Sequence, residues 1–574
     1  MPRFADRFLP ALLALCLATS PQSATAQASV DFAGPFLAAR AAESAGDFAA
    51  AAKYSLLALN ADPENLFLQE DALLSQVAMG NMETALPLAK SMQAEAHGSQ
   101  IASLVLLADA AARADYAGVQ ALVAAGTNTG PLLDGLIQSW AYVGSGQVGA
   151  ALEGFDALIA NDSYAAFGLY HKALALASVG DFEGADAILS GAEAGPLQAT
   201  RRMVIAQLQV LSQLDRNADA LEMILALFGP DPDPELAALR ARLEAGETLR
   251  FTQIESAQDG LAEVFSSVGA ALGAENTDIY ALSYARLALH MRPDVSDTVL
   301  LVAGLLEALN QPALASTVYA QISRDDPAYV AAEAGRAAAL FAADQSDEAV
   351  AALVALSSEY PEIAAIWSKL GDMQRRLQQF EDAAVSYDKA LALLGEPQPD
   401  QWFLYYARGM ANERAGNWAG AEADFREALN LSPDQPQVLN YLGYSYVDRN
   451  ENLDEALAMI ERAVAAVPED GAIVDSLGWA LYRLGRYEEA VAPMEKATQL
   501  MPVDSLINDH LGDVYWAVGR QREAEFQWRR ALSFEPDTEA EAERIRRKLE
   551  VGLDAVLAEE GAPPLRAVTA ANGN

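Results

Sequence analysis

The sequence predicts an all-α fold, a superhelical solenoid of about fourteen helical hairpins in two arrays, and three observations carry that prediction. Pro433, Pro468, Pro502 and Pro536 stand 35, 34 and 34 residues apart. Each block closed by one of them has the same order of side chains: Gly (Gly409, Gly443, Gly478, Gly512), Ala (Ala421, Ala456, Ala490, Ala524), a bulky residue four positions on (Phe425, Ile460, Met494, Trp528) and a second Ala (Ala428, Ala463, Ala497, Ala531). The apolar content is 52%, much of it alanine, as close-packed helices require. Two antiparallel helices cross closely only over small side chains, so Gly and Ala mark the crossings and the bulky residues fill the space around them. Proline lacks an amide donor and its ring clashes with the preceding turn, so it ends one pair and starts the next. A lone pair cannot bury its apolar face, whereas a stack of pairs can.

Residues 1–26 open the chain differently. Arg3 and Arg7 precede an apolar run from Phe8 to Ala18, and Ala24-Thr25-Ala26 has the small-x-small form of a cleavage site, so this segment predicts an export signal and a periplasmic mature chain, peripheral to the outer membrane. Cys16 is the only cysteine and follows Leu15. A lipoprotein signal needs a small residue there, which argues against a lipid anchor. Once the signal is removed no thiol remains for disulfides, thiol catalysis or cysteine metal sites.

Residues 27–233 predict an N-terminal array of six weaker hairpins, starting near 32, 66, 100, 132, 166 and 201. Gly46-Asp47-Phe48 with Ala51, and Gly180-Asp181-Phe182 with Ala185, mark turns between paired helices. The ruler breaks where Pro230, Pro232 and Pro234 crowd together. Residues 234–261 therefore read either as a helical joint or as one degenerate repeat. Residues 262–538 predict a C-terminal array of eight stronger hairpins, with Pro293, Pro327 and Pro361 again 34 apart and with Trp367, Leu370, Gly371, Ala383, Tyr387 and Ala390 in template order. Residues 539–560 place Glu539, Glu541 and Glu543 before Arg544, Arg546, Arg547 and Lys548, a charge order that suits the helix dipole and predicts a capping helix. Residues 561–574 lack periodicity and predict a disordered tail.

A net charge of −42 over 574 residues excludes phosphate-led nucleic-acid binding, which needs clustered Lys and Arg. The acidity reads as a solvated face that keeps a long solenoid soluble, or as a preference for basic or neutral partners. Beyond the N-terminus no stretch is long and apolar enough to span a bilayer. His97, His171, His290 and His510 are scattered, with no second ligand at metal-binding spacing, so no metal site is expected. No nucleophile elbow, phosphate loop or dinucleotide fingerprint occurs, and the chain reads as a non-enzyme without a cofactor.

The block template resembles the tetratricopeptide repeat (TPR). In that family the first helix of each pair lines the concave side, with positions 2, 5, 9, 12 and 13 on its inner face. Counting from block starts 402, 436, 471 and 505 gives a candidate protein-binding groove of Tyr406, Asn440, Tyr444, Asp448, Asp475, Trp479, Tyr482, Arg483, Asp509, Asp513 and Trp516. The set is aromatic and acidic. Its aromatics serve either as anchors in a recognition groove or, for Trp479 and Trp516, as packing between adjacent first helices. Asp475, Asp509 and Asp513 would repel a partner's C-terminal carboxylate, and Trp367 and Trp528 fall on core positions.

Tyr441-Leu-Gly-Tyr-Ser-Tyr, Leu453-Asp-Glu-Ala, Asp475-Ser-Leu-Gly-Trp479, Leu484-Gly-Arg-Tyr-Glu-Glu-Ala490 and Asp509-His-Leu-Gly-Asp513 resemble the C-terminal part of exported bacterial TPR proteins of similar length. That group includes an outer-membrane lipoprotein adaptor of a carboxyl-terminal processing protease. The resemblance implies a non-catalytic scaffold of the cell envelope, whose partners are envelope proteins or peptides, such as that protease and its cell-wall hydrolase substrates. The alternative is a structural coupler in a pilus, polysaccharide or other envelope export machine.

Overall fold

The computed structural model describes residues 32–94, 98–191, 200–229, 233–275 and 278–565. The expected export signal, most of the expected tail and His97 lie outside the described residues. Among the described residues every regular element is helical. The first pairs are α1 (Ala33–Ala45) with α2 (Phe48–Ala61), α3 (Leu66–Met79) with α4 (Met82–Ala94), and α5 (Gln100–Ala112) with α6 (Tyr116–Ala125). Then come α7 (Pro131–Gly144) with α8 (Val148–Ile159), α9 (Ala165–Ser178) with α10 (Phe182–Leu189), and α11 (Arg201–Gln213) with α12 (Asn217–Phe228). A single helix follows, α13 (Pro234–Glu244). Next are α14 (Ala257–Glu275) with α15 (Ile279–Met291), α16 (Ser296–Ala308) with α17 (Pro312–Tyr319), and α18 (Tyr329–Ala342) and α19 (Ser346–Glu359). The regular blocks give α20 (Ala364–Arg376) with α21 (Phe380–Leu394), α22 (Trp402–Arg414) with α23 (Trp418–Leu431), and α24 (Pro436–Arg449) with α25 (Leu453–Ala466). The last pairs are α26 (Gly471–Arg483) with α27 (Tyr487–Leu500), and α28 (Ser505–Ala517) with α29 (Gln521–Ser533), before α30 (Glu539–Val551) and α31 (Leu553–Glu559). In chain order the helices thus form six pairs, a single helix, two pairs, the helices α18 and α19, and five pairs, the all-α hairpin pattern that the ruler predicts.

The template's side chains meet as the spacing requires. A Cβ on Gly409 would lie 2.6 Å from the Phe425 ring, and one on Gly443 would lie 2.8 Å from Ile460. Gly478 meets Met494 and Gly512 meets Trp528 in the same way, and all four bulky residues are fully buried. The Gly-Asp turns also form as expected. Gly46 takes φ +70°, and the Asp47 side chain accepts from the Ala50 N–H at 2.9 Å, starting α2. Asp181 does the same for α10 through Gly184, also at 2.9 Å, an N-cap that satisfies one of the helix's orphan donors.

The chain divides into two compact units at Gln345/Ser346, not at the 234–261 segment where the ruler breaks. Within that segment a single helix, α13, precedes the start of α14. Leu236, Leu243 and Leu249 are buried with Val204, Leu208 and Leu211 of α11, and the chain after α13 is stitched to α11 by Leu249 N–H to Ser212 Oγ at 2.8 Å and Thr252 N–H to Gln209 Oε1 at 2.9 Å. In unit 1, α14 and α15 then pack against α3, α5 and α7. Leu261 and Phe265 of α14 and Leu287 of α15 share one core with Leu73, Val105 and Trp140. Gln258 donates to the carbonyls of Ala112 and Met291 at 3.2 and 3.0 Å, and Tyr170 donates to Glu263 at 2.8 Å. Helices beyond the break therefore complete the N-terminal array.

Candidate functional site

In unit 2 the first helices of successive hairpins approach one another, α20 to α22, α24 to α26 and α26 to α28, more closely than the second helices do. A stack whose first helices crowd and whose second helices splay is curved with the first helices inside. The eleven candidate residues all lie on these first helices. The structure separates them into an open group and a covered group.

Tyr406, Asn440, Tyr444, Asp448 and Arg483 form the open group. The Tyr406 ring lies 6.0 Å from Phe425 and 5.8 Å, edge-on, from Tyr441. Burial, with help from Asp475 and Asp448, pushes the Tyr444 hydroxyl up to about 12, so it stays a protonated donor. The Asn440 Oδ1 atom is buried and has no hydrogen-bond partner among the described residues. Sequence reasoning missed the residues just upstream. Arg375, Arg376 and Arg414 line a cavity of about 250 Å³ with Gln378, Phe380, Met410 and Tyr441. Arg375 and Arg376 are positions 12 and 13 of the block starting at 364, so counting one hairpin further back would have found them.

Asp475, Trp479, Tyr482, Asp509, Asp513 and Trp516 form the covered group. Trp479 is half-buried, stacked on His510 at 3.9 Å and 11° and on Tyr482 at 4.8 Å and 14°. The His510 Nδ1 lies 3.1 Å from both Asp475 oxygens. Burial opposes a charge on His510, but Asp475, with Asp509 and Asp513, outweighs it and raises the imidazole's pKa. Lys548 of α30, only 1% exposed, places Nζ within 2.7–2.9 Å of all four oxygens of Asp509 and Asp513. Burial raises Asp513 against the pull of that lysine. Trp516 donates from Nε1 to Asp554 at 2.9 Å and packs over Gly552, whose missing side chain and φ of +83° make room for the ring.

Three of the carboxylates expected in the groove are compensated, Asp475 by His510 and Asp509 and Asp513 by Lys548 with Arg544 at 3.8 Å from Asp513, whereas Asp448 is exposed and the uncovered inner face also carries Arg375, Arg376, Arg414 and Arg483. No ion pair forms at Arg483 among the described residues. Trp528 is in the core as expected, but Trp367 is only partly buried, with the Lys389 ammonium 3.9 Å from its ring centre. Among the described residues no cluster of His, Cys, Asp or Glu could hold a metal, and no helix is long and apolar enough to cross a membrane.

Comparison with known proteins bears on this same region. Residues 335–401, 369–436, 406–470 and 442–504 match the tetratricopeptide repeat family model. A TPR repeat-containing protein of Pseudomonas aeruginosa is 31% identical over 183 residues, 32% of this chain, and the match spans 30% of that relative's length. Among solved structures, the Cut9-Hcn1 hetero-tetramer of the APC/C is 16% identical, with a TM-score of 0.37 over 84% of this chain and 96% of that one. YrrB, a TPR protein with an unusual peptide-binding site, is 21% identical, with a TM-score of 0.28 over 34% of this chain and 97% of its own.

Proposed function

For a chain that carries tetratricopeptide repeats over residues 335–504, we propose a non-catalytic protein-binding scaffold whose inner face between α20 and α26 receives an extended segment of a partner protein. The observation that carries this reading is the Asn440 amide. Its oxygen is buried and has no hydrogen-bond partner among the described residues; Asn440 stands one turn before Tyr444 on α24, at the template position that Tyr406 holds on α22. An amide side chain offers a donor and an acceptor together, which matches a peptide backbone. Aromatic rings and arginines beside it supply anchors of the kind that dominate protein recognition. The covered end of the face has its polar groups satisfied by His510 of α28 and by α30 and α31, so the partner segment belongs at the α20–α26 end.

The cellular role we propose is that of an adaptor in the bacterial envelope, which brings a carboxyl-terminal processing protease and its cell-wall hydrolase substrates together. The export-signal pattern of residues 1–26 and the motif resemblance over 402–536 support it. A photoreactive residue at Tyr444, followed by capture from detergent-solubilised envelopes, tests both layers. Recovery of neither protease nor peptidoglycan enzyme removes the adaptor role, and crosslinks that survive Asn440→Ala with Arg483→Ala undiminished remove the inner face.

A further inference from the structure

Unit 1 contains a buried cation without a counter-charge. Other buried or half-buried cations sit between carboxylates: Arg202 against Glu263 and Asp297, Arg408 against Asp424 and Asp388, and Lys548 against Asp509 and Asp513. Arg286 of α15 is 8% exposed, and its hydrogen bond runs from Nε to the Ala78 carbonyl at 3.1 Å. Among the described residues no carboxylate pairs with it. Burial, unopposed by any neighbouring charge, pulls its pKa down to about 10. A chain of net charge −42 has no shortage of carboxylates to place there, so the vacancy beside this guanidinium calls for an explanation.

Arg286 lines a cavity of about 560 Å³ with Gly80, Asn81, Thr84, His290 and the first turn of α4. Its Nη1 lies 3.4 Å from the point where a side chain on Gly80 would begin, so the absence of that side chain keeps the guanidinium reachable. His290 stands one turn further along α15, on the same face, and its Nε2 is buried with no hydrogen-bond partner among the described residues. The Met82 and Thr84 N–H groups are already bonded to the Gly80 and Asn81 carbonyls at 3.0 and 3.1 Å, so what the amino end of α4 adds is the positive end of a helix dipole. Glu83 lines the cavity too, but it is exposed and free to turn outward.

We propose that this cavity binds an oxyanion, a carboxylate or phosphate group held end-on by the two Nη nitrogens of Arg286, with His290 Nε2 and the α4 amino end completing the shell. The guanidinium fork suits such a group because it offers two parallel donors and a full charge. The site is distinct from the peptide face proposed on unit 2 and does not depend on it.

Titrating the full chain with sodium phosphate or with sodium succinate, against potassium chloride at matched ionic strength, tests the site by calorimetry and thermal melting. The expected result is a saturable heat and a rise in Tm with at least one of the two anions, and the better anion tells tetrahedral from planar preference. Arg286→Gln should weaken that binding roughly tenfold or more, as expected for loss of charge-assisted hydrogen bonds. Should that variant fail to fold, His290→Ala, which leaves Arg286 in place, should still weaken it severalfold. Responses to both anions no greater than to chloride would overturn the site, as would folded variants that bind as well as the parent.

Discussion

At the residue scale the informative side chains are ionisable groups that folding has removed from water. Lys548 bonds two buried carboxylates at once, and removing one partner from such a group leaves uncompensated charge in a low-dielectric site. Lys548→Met is expected to destabilise unit 2 by about 3–5 kcal/mol in denaturant titrations, and adding Asp513→Asn should recover part of that loss. Two histidines should respond to pH with opposite signs. His171 is fully buried, accepts from Trp140 Nε1 at Nδ1 (3.1 Å), and is pulled down to about 3 by burial. The unfolded chain takes up that proton first, so the stability of unit 1 should fall as pH drops from about 6.5 towards 3, at up to about 1.4 kcal/mol per pH unit. His510 is raised in the folded state by its carboxylate neighbours. Its contribution is complete below about 6.5 and is lost as pH rises through the folded value. Urea midpoints against pH should show both trends, the first absent in His171→Phe and the second in His510→Gln.

At the element scale the question is which inner-face helices are working surfaces and which are packing. The Trp479 stack on His510 and Tyr482 ties α26 to α28, so Trp479→Ala should cost roughly 2 kcal/mol in stability. Arg483→Ala on the same helix should change stability by no more than about 0.5 kcal/mol while weakening partner capture. If the tryptophan change were silent and the arginine change destabilising, the division into covered and open groups would be wrong. Position counting read from the sequence had found the residues that share this face, because helical periodicity decides which side chains point inward. It could not show that α30 brings Lys548 onto Asp509 and Asp513, since a repeat template describes hairpins and α30 has no template. One signal was present. Ala542, Ile545 and Lys548 follow each other at spacings of three on α30, which puts a lysine on the apolar stripe of a helix and asks for a buried acidic partner.

At the scale of the whole molecule, the recurrence of hairpins was legible from the spacing of Pro, Gly and Ala, and the contacts that close unit 1 were not. The ruler records contacts between neighbours in sequence, where small residues must recur at each crossing. The contacts that complete unit 1 join residues far apart, such as Arg286 with Ala78 across 208 positions and Tyr170 with Glu263 across 93, and no periodicity encodes them. Their consequence can be tested by cutting the chain. A fragment of residues 32–261 contains the six hairpins before the break but lacks most of α14 and all of α15, so Leu73, Val105 and Trp140 would lose the partners that bury them. A fragment of residues 32–345 keeps those partners. The longer fragment is expected to unfold cooperatively with helicity close to its share of the full chain, and the shorter one to bind a hydrophobic dye and melt broadly, because exposing that much apolar surface removes the main driving force for folding. Circular dichroism melts and dye fluorescence on the two fragments decide the matter. Equal stability would mean that the N-terminal array stands alone and that the break in the ruler, not Gln345/Ser346, divides the protein.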